Sequence, residues 1–420
     1  DYEDHNYDEC PYFHNEESDW GYKLQHWHNI NGREYRAWKY VKDALFHWVN
    51  EYHFDGFRFD VTWGIGWGGN ENGASFYANQ LRLLNPNLIL IAEEDNATQV
   101  NNSDFDSCWD FSFHHEVFDN IMGYSSNMDY LGNLLNPHTQ GYYNLNGPIT
   151  YTTSHDEQRI VYEAESYLDL STEDAYKLSK LGVALLMTSP GTPMLYHGQE
   201  FGQNSPRELT PQPLQWENMT TETGYDLYNF YKNIIHIRND NAAFKEGDYE
   251  PLITHNNNSI LVYKRQLGDE VAIMMFNFGD NYHTINVDAA DNSNWYEFIS
   301  QSSVNIIDYF AEEIPPKSAK IFTNFEISPL EINEIPNDLT LLENFPNPFN
   351  GSTMIEINLP KSEYINLDVF DISGKRVENI FEGFAQSGKS NFTLRPNQKS
   401  NIGFSSGIYF LILKTDNEKI

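Results

Sequence analysis

The stretch Asp55-Gly56-Phe57-Arg58-Phe59-Asp60-Val61 limits most tightly what this chain can fold into. Aromatic and functional residues alternate along it, a period of two that reads as a buried strand and puts Arg58 and Asp60 on the same face. Alone, an arginine beside an aspartate on a strand is an ordinary structural ion pair. Two later stretches give it more weight. Leu88-Ile89-Leu90-Ile91-Ala92-Glu93-Glu94-Asp95 is a second apolar strand ending in acids, and Ile149-Thr150-Tyr151-Thr152-Thr153-Ser154-His155-Asp156-Glu157 is a third, ending in His-Asp. Apolar strands that deliver carboxylates at their C-terminal ends, with helical segments between them, are what a parallel barrel with its active site at the strand mouths requires.

In that order, Gly56-Phe57-Arg58-Phe59-Asp60, Ala92-Glu93-Glu94 and Ser154-His155-Asp156-Glu157 resemble the alpha-amylase family of glycoside hydrolases at the fourth, fifth and seventh strands of its barrel. The resemblance implies an α/β fold in which residues 1–243 supply a partial TIM (β/α)8 barrel, strands four to eight, with the first three strands upstream of the sequence. Residues 1–30 are aromatic, acidic and irregular and read as the long loop that follows the third strand in that family. Trp38, Val41, Ala44, Leu45 and Val49 predict an amphipathic helix over Arg36 to Tyr52; Ala74 to Leu84 reads as the next, stopped by Asn85-Pro86. Phe105 to Val117 resembles the sixth strand and its loop, where His114 and His115 are candidates either to face substrate or to serve as packing residues. Ser171-Thr172-Glu173-Asp174 offers an N-cap and an acidic first turn for a helix reaching about Thr188. The run from Gly191 to Gly202 resembles the eighth strand and its loop, and Tyr225 to Asn239 the closing helix.

From 244 to 325 the pattern changes to alternating strands, with Ser259 to Arg265 and Glu270 to Phe276 reading as a hairpin about Leu267-Gly268-Asp269. This resembles the small antiparallel β domain that follows the barrel in the family. Residues 326–340 are polar, acidic and proline-spaced, a linker. Residues 341–420 read as a small C-terminal β-sandwich. There Asn344-Phe345-Pro346-Asn347-Pro348-Phe349-Asn350, Asp371-Ile372-Ser373-Gly374-Lys375-Arg376-Val377 and Ser406-Gly407-Ile408-Tyr409-Phe410 resemble the C-terminal sorting domain of the type IX secretion pathway. That resemblance implies the type IX secretion machinery as a partner and a secreted or cell-surface location, beyond a bacterial outer membrane.

Acids outnumber bases 61 to 26 in 420 residues, a formal charge of −35, so phosphate backbones and anionic membranes would be repelled and no nucleic-acid partner is expected. A neutral polysaccharide is compatible with that charge. Cys10 and Cys108 are too few and too distant for a metal cluster or a disulfide framework. No apolar run approaches the roughly 18 residues of a membrane-spanning helix.

Breaking a glycosidic bond builds positive charge on the anomeric carbon while the departing oxygen takes a proton, so one carboxylate must stay ionised and another protonated. By resemblance, the catalytic residues are Asp60 as nucleophile, Glu93 as general acid/base and Asp156 as the group that holds sugar hydroxyls. Arg58 and His155 are the substrate-binding residues, Arg58 also keeping Asp60 ionised. Glu94 competes with Glu93, since adjacent residues point to opposite faces; Glu93 is preferred from its place after Ala92, with Glu94 and Asp95 expected to raise its pKa by repulsion. No cofactor is expected. The lysine-histidine pair linked to calcium in many amylases is replaced by Thr62-Trp63-Gly64, which leaves a structural calcium unsupported and makes Trp63 either a sugar-stacking or a packed residue.

The resulting expectation is a secreted, retaining hydrolase of alpha-1,4-linked glucans such as starch or glycogen. A 1,4-alpha-glucan branching enzyme or other transglycosylase is one alternative, and a non-catalytic carbohydrate-binding protein the other.

Overall fold

Strand β1 (Gly56–Phe59) begins with glycine because its neighbour comes too close for a side chain: a Cβ on Gly56 would collide with the carbonyl of Ile89. In the computed structural model of the chain that neighbour is β2 (Ile89–Ala92), followed in order by β3 (Ser107–Trp109), β4 (Pro148–Tyr151) and β5 (Thr192–Met194). These five strands form one parallel sheet whose spatial order is the sequence order, the arrangement that right-handed crossovers through intervening helices produce. The structure describes residues 12–325 and 339–415 apart from 19–20, 28, 31–32, 35, 70–71, 209, 289–293, 301, 307–308, 342–343, 350 and 396–405. Cys10 and most of the expected linker lie outside the described residues.

Helices α1 (Ala37–Tyr52) and α2 (Gly73–Leu84) follow the predicted periodicity. Their apolar faces meet the sheet in one core of Phe59, Ala74, Tyr77, Leu81 and Leu90, against which Trp38, Val41, Leu45 and Val49 pack. Helix α3 (Phe111–Met122) starts directly after β3, with the Asp110 side chain accepting the Phe113 N–H at 2.7 Å. His114 and His115 therefore sit on a helix rather than in the expected loop. Helix α4 (Thr172–Thr188) is capped as predicted, the Asp174 N–H donating to Ser171 Oγ at 3.2 Å. Helix α5 (Glu222–Asp240) extends the expected closing helix by a few residues.

Two parts of the N-terminal sixty residues depart from expectation or sharpen it. Phe13–Ser18 and Gly21–Leu24 pair as antiparallel strands where the sequence reads as loop, because their Gly-poor, aromatic-acidic composition gives no period of two to recognise. Strand β1 is half-buried rather than buried: only Phe59 is fully covered, since β2 is its one partner among the described residues.

The chain divides into two compact units, residues 1–213 with 230–327, and 214–229 with 328–420. The first unit holds the parallel sheet and an antiparallel sheet of β6 (Asp248–His255), β7 (Ile260–Leu267), β8 (Glu270–Asn277), β10 (Asn294–Glu297), β11 (Ser302–Asn305) and β13 (Ser318–Thr323), ordered β6-β7-β8-β13-β10-β11. A separate pair, β9 (His283–Asp288) and β12 (Tyr309–Ile314), closes over the same core through Ile285, Val287, Phe310 and Ile314. Two buried arginines end α4. Arg238 donates to the carbonyls of Met187 (2.8 Å) and Ser189 (2.7 Å), and Arg265 to those of Thr188 (3.0 Å) and Gly247 (2.9 Å). They satisfy carbonyls a helix C-terminus leaves unpaired, and their charge suits that end of the helix.

In the second unit β14 (Thr353–Leu359) pairs with β17 (Gly388–Leu394), while β15 (Glu363–Asp371) lies between β16 (Arg376–Ala385) and β18 (Tyr409–Lys414). Alternate residues Ile355, Ile357 and Leu359 of one sheet and Ile365, Leu367 and Val369 of the other share one apolar core. Among the described residues no helix is long and apolar enough to cross a membrane.

Candidate active site

Register builds the site. Strand β1 pairs with β2 so that Phe59 faces Ala92, and the next backbone bond, Glu93 N–H to Phe59 C=O at 2.9 Å, sets Asp60 beside Glu93 at the strand exits. Strand β2 pairs with β3 with Ala92 facing Cys108, which brings Trp109 to the same level. Arg58 ties these groups together. Its Nη1 donates to Asp60 Oδ1 at 3.1 Å, its Nη2 lies 2.7 Å from Glu93 Oε1, and its guanidinium stacks 4.2 Å above the Trp109 ring. The close approach to Glu93 is an ion pair without hydrogen-bond geometry: Nε and Nη2 of Arg58 are buried and make no well-angled hydrogen bond. We read it as charge contact, which depends on distance more than on angle.

The two carboxylates differ sharply in environment. The Asp60 side chain is 74% exposed and that of Glu93 12%. Burial pushes the Glu93 carboxyl above its usual range; the Val61 N–H, donating to Glu93 Oε2 at 2.8 Å, pulls back, and neighbouring Asp60 raises it again while Arg58 lowers it. Val61 adopts φ 46, a left-handed conformation in which a β-branched residue is strained, and it is this turn that aims its N–H at Glu93. Sequence gave no warning of it.

Glu94 points elsewhere. Its Oε2 accepts from Thr62 Oγ1 (3.0 Å) and Trp67 Nε1 (2.6 Å), and its Oε1 from Asn96 Nδ2 (3.1 Å). Asp95 accepts from the N–H and Oγ of Ser112 at 3.0 and 2.7 Å. The expected repulsion from Glu94 and Asp95 is thus not what raises Glu93; burial and Asp60 do so instead. Thr62 and Trp63 belong to a short helix, Thr62–Ile65, and Trp63 is exposed.

His155 and Asp156 come from the segment after β4. His155 Nε2 lies 3.0 Å from Asp156 Oδ2, and the His155 ring meets the Trp109 ring edge-on at 5.9 Å. Trp109 therefore stands between Arg58 and His155 and links the acid pair to Asp156. It is the residue sequence reasoning missed: a tryptophan closing a three-residue strand gives no signal beyond its level in the sheet. His114 stacks on Tyr151 of β4, and the Nε2 atoms of His114 and His115 lie 3.4 and 3.7 Å from the two oxygens of Glu157. A buried Glu93 with a raised carboxyl beside an exposed, arginine-paired Asp60 sets two carboxyls of different environment side by side, as acid–base chemistry on one bond requires.

Residues 343–420 match the family model of the secretion system C-terminal sorting domain. Upstream, the chain is 24% identical over 255 residues to a cyclomaltodextrinase of a Bacillus species, covering 59% of this chain and 43% of that enzyme. It is 27% identical over 313 residues to an amylopullulanase of Thermoanaerobacter thermohydrosulfuricus, covering 62% and 20%. To a 1,4-alpha-glucan branching enzyme of Picrophilus torridus it is 26% identical over 271 residues, covering 57% and 36%. The chain spans less than half the length of each of these relatives. Among solved structures, an Anoxybacillus alpha-amylase superposes with a TM-score of 0.58 at 18% identity, over 76% of this chain and 72% of that one. The acarbose-soaked debranching enzyme of Nostoc punctiforme does so with a TM-score of 0.54 at 20% identity, over 68% and 60%. Sequence kinship and shared fold make the chain a relative of the alpha-amylase-family glycoside hydrolases, carrying a secretion system C-terminal sorting domain over residues 343–420.

Proposed function

We propose that the protein is a secreted, retaining glycoside hydrolase that cleaves alpha-1,4-glucosidic bonds of starch-like or glycogen-like glucans through a covalent glycosyl-enzyme intermediate. The observation that carries this is Arg58 held between an exposed Asp60 and a buried Glu93. In the proposed reaction Asp60 attacks the anomeric carbon and the Asp60–sugar ester forms as the glycosidic C–O bond breaks. Glu93 gives its proton to the departing oxygen. Glu93, now ionised, then takes a proton from water as that water attacks the anomeric carbon and frees Asp60. Arg58 pairs with Asp60, and burial favours protonated Glu93. Asp156 and His155 hold hydroxyls of the same sugar ring.

The proposed layout assigns the five parallel strands to the fourth through eighth of a (β/α)8 barrel over residues 1–243. An antiparallel domain follows at 244–325, then a linker at 326–340 and a sorting domain at 341–420 whose two sheets form a small sandwich. The partners are an alpha-glucan and, through the sorting domain, the type IX secretion machinery, which would deliver the enzyme to the cell surface or beyond. The substrate class is supported by kinship with cyclomaltodextrinase and amylopullulanase.

Kinship with a branching enzyme favours a second reading, in which a sugar hydroxyl rather than water intercepts the intermediate. Incubation with amylose separates the two. A rise in reducing ends is expected; new branch points with few new reducing ends would move the assignment to transglycosylation. Binding of amylose with neither product would make it a carbohydrate-binding protein.

A further inference from the structure

Glu157 takes no part in the proposed glucan chemistry, yet it is gripped from one side by two imidazoles. We propose that His114, His115 and Glu157 form a binding site for a divalent transition metal of the zinc class.

Neighbouring residues on a helix point about 100° apart, so adjacent histidines do not ordinarily share a partner. Here they do. His114 Nε2 lies 3.4 Å from Glu157 Oε2 and His115 Nε2 3.7 Å from Oε1, and one ligand atom from each of the three residues falls within 4.8 Å of the others. Ligands about 2.0–2.2 Å from a tetrahedral zinc stand roughly 3.3–3.5 Å apart, and each imidazole already meets one oxygen of the carboxylate at about that spacing. Bringing both imidazoles onto one ion needs a turn of His115, whose side chain is 65% exposed.

His114 is the fixed ligand. It is buried and stacked on Tyr151, with ring centroids 5.0 Å apart and planes 8° from parallel. Its Nδ1 is buried without a hydrogen-bond partner, so among the described residues the contact with Glu157 is the polar contact that orients the ring. The exposed side of His115 leaves room for water as a fourth ligand, as in zinc sites that keep an open position. Two imidazoles and one carboxylate suit zinc, cobalt, nickel and copper; calcium and magnesium take oxygen-only sets. One group opposes the ion: Arg207 Nη1 lies 3.9 Å from Glu157 Oε2. Arg207 is itself exposed, and the same Nη1 also donates to the Asp156 carbonyl, which holds it to that neighbour rather than to Glu157 alone. Bound metal would join the first turns of α3 to the segment that carries His155 and Asp156.

The test uses the full chain freed of metal with a chelator. Cobalt titration followed by visible absorption, and zinc titration followed by calorimetry, are expected to show one saturable ion per chain that excess calcium does not displace. Zinc is expected to raise the thermal midpoint. His115→Ala changes an exposed side chain, so it should fold as the parent does, and it should weaken zinc binding at least about tenfold. Glu157→Gln should do the same and abolish the cobalt band. Absence of a saturable cobalt band, or zinc affinity unchanged in both variants, would overturn the assignment. The readouts are independent of glucan turnover, so the metal site can fail while the proposed activity stands, and the reverse.

Discussion

Replacing Asp110 with asparagine should reverse part of the protein's response to pH. Asp110 is fully buried; it accepts the Phe113 N–H at 2.7 Å and Gln140 Nε2 at 3.0 Å. Burial, and then the negative charge of Asp95, push its carboxyl from 3.8 up to about 7. Because the folded value lies above the unfolded one, the folded state holds a proton that the unfolded chain has released. Stability from this group is complete below about pH 4 and is lost as pH rises toward about 7. A rise of about 3 pH units at about 1.4 kcal/mol each comes to an upper bound of about 4 kcal/mol by pH 8. Asparagine keeps the shape, caps the helix as well and never ionises, but its Nδ2 cannot accept from Gln140 Nε2, a cost of about 1 kcal/mol. Asp110→Asn should therefore be about 1 kcal/mol less stable than the parent near pH 3 and about 2–3 kcal/mol more stable near pH 8. Urea unfolding at the two pH values, followed by tryptophan fluorescence, measures the difference. Stability curves that stay parallel across this range would refute the reasoning.

Three further outcomes follow from particular contacts. Val61→Gly relieves a β-branched residue of φ 46 and should raise stability by about 1 kcal/mol in the same unfolding assay. Arg265→Met leaves the Thr188 and Gly247 carbonyls buried without their donor and should lower stability by about 2–4 kcal/mol, read as a shifted urea midpoint. Arg58→Lys keeps the charge but loses the fork that reaches Asp60 and Glu93 while stacking on Trp109; glucan turnover should fall by about 100-fold or more, measured as kcat on a soluble maltooligosaccharide.

Much of the fold was legible because its signals are local. Alternation marked the strands around Phe57 and Phe59, Ser171 announced α4, and Asn85-Pro86 ended α2 close to where it does end. Candidate residues were legible for the same reason: acids at the ends of apolar strands stand out. What sequence could not supply was everything set by register and burial. Which of Glu93 and Glu94 faces Asp60 depends on the pairing of β1 with β2 and on the hydrogen bonds that occupy Glu94. The shift of Glu93 follows from burial rather than from its acidic sequence neighbours. The helical setting of His114 and His115 was readable in principle, since Asp110 is an N-cap residue followed by an amphipathic run, but the histidine pair drew attention from it. The bridging role of Trp109 and the strain at Val61 leave no trace in composition or periodicity.

The claim that Asp60 and Glu93 work on one sugar is tested most directly by labelling. Glu93→Gln should still react with an alpha-maltosyl fluoride, whose leaving group needs no proton, but should be slow to release the sugar for want of a base. Peptide mass spectrometry of the treated variant is predicted to find a maltosyl group esterified to Asp60. A label on any other residue, or turnover of starch by Glu93→Gln equal to that of the parent, would contradict the account.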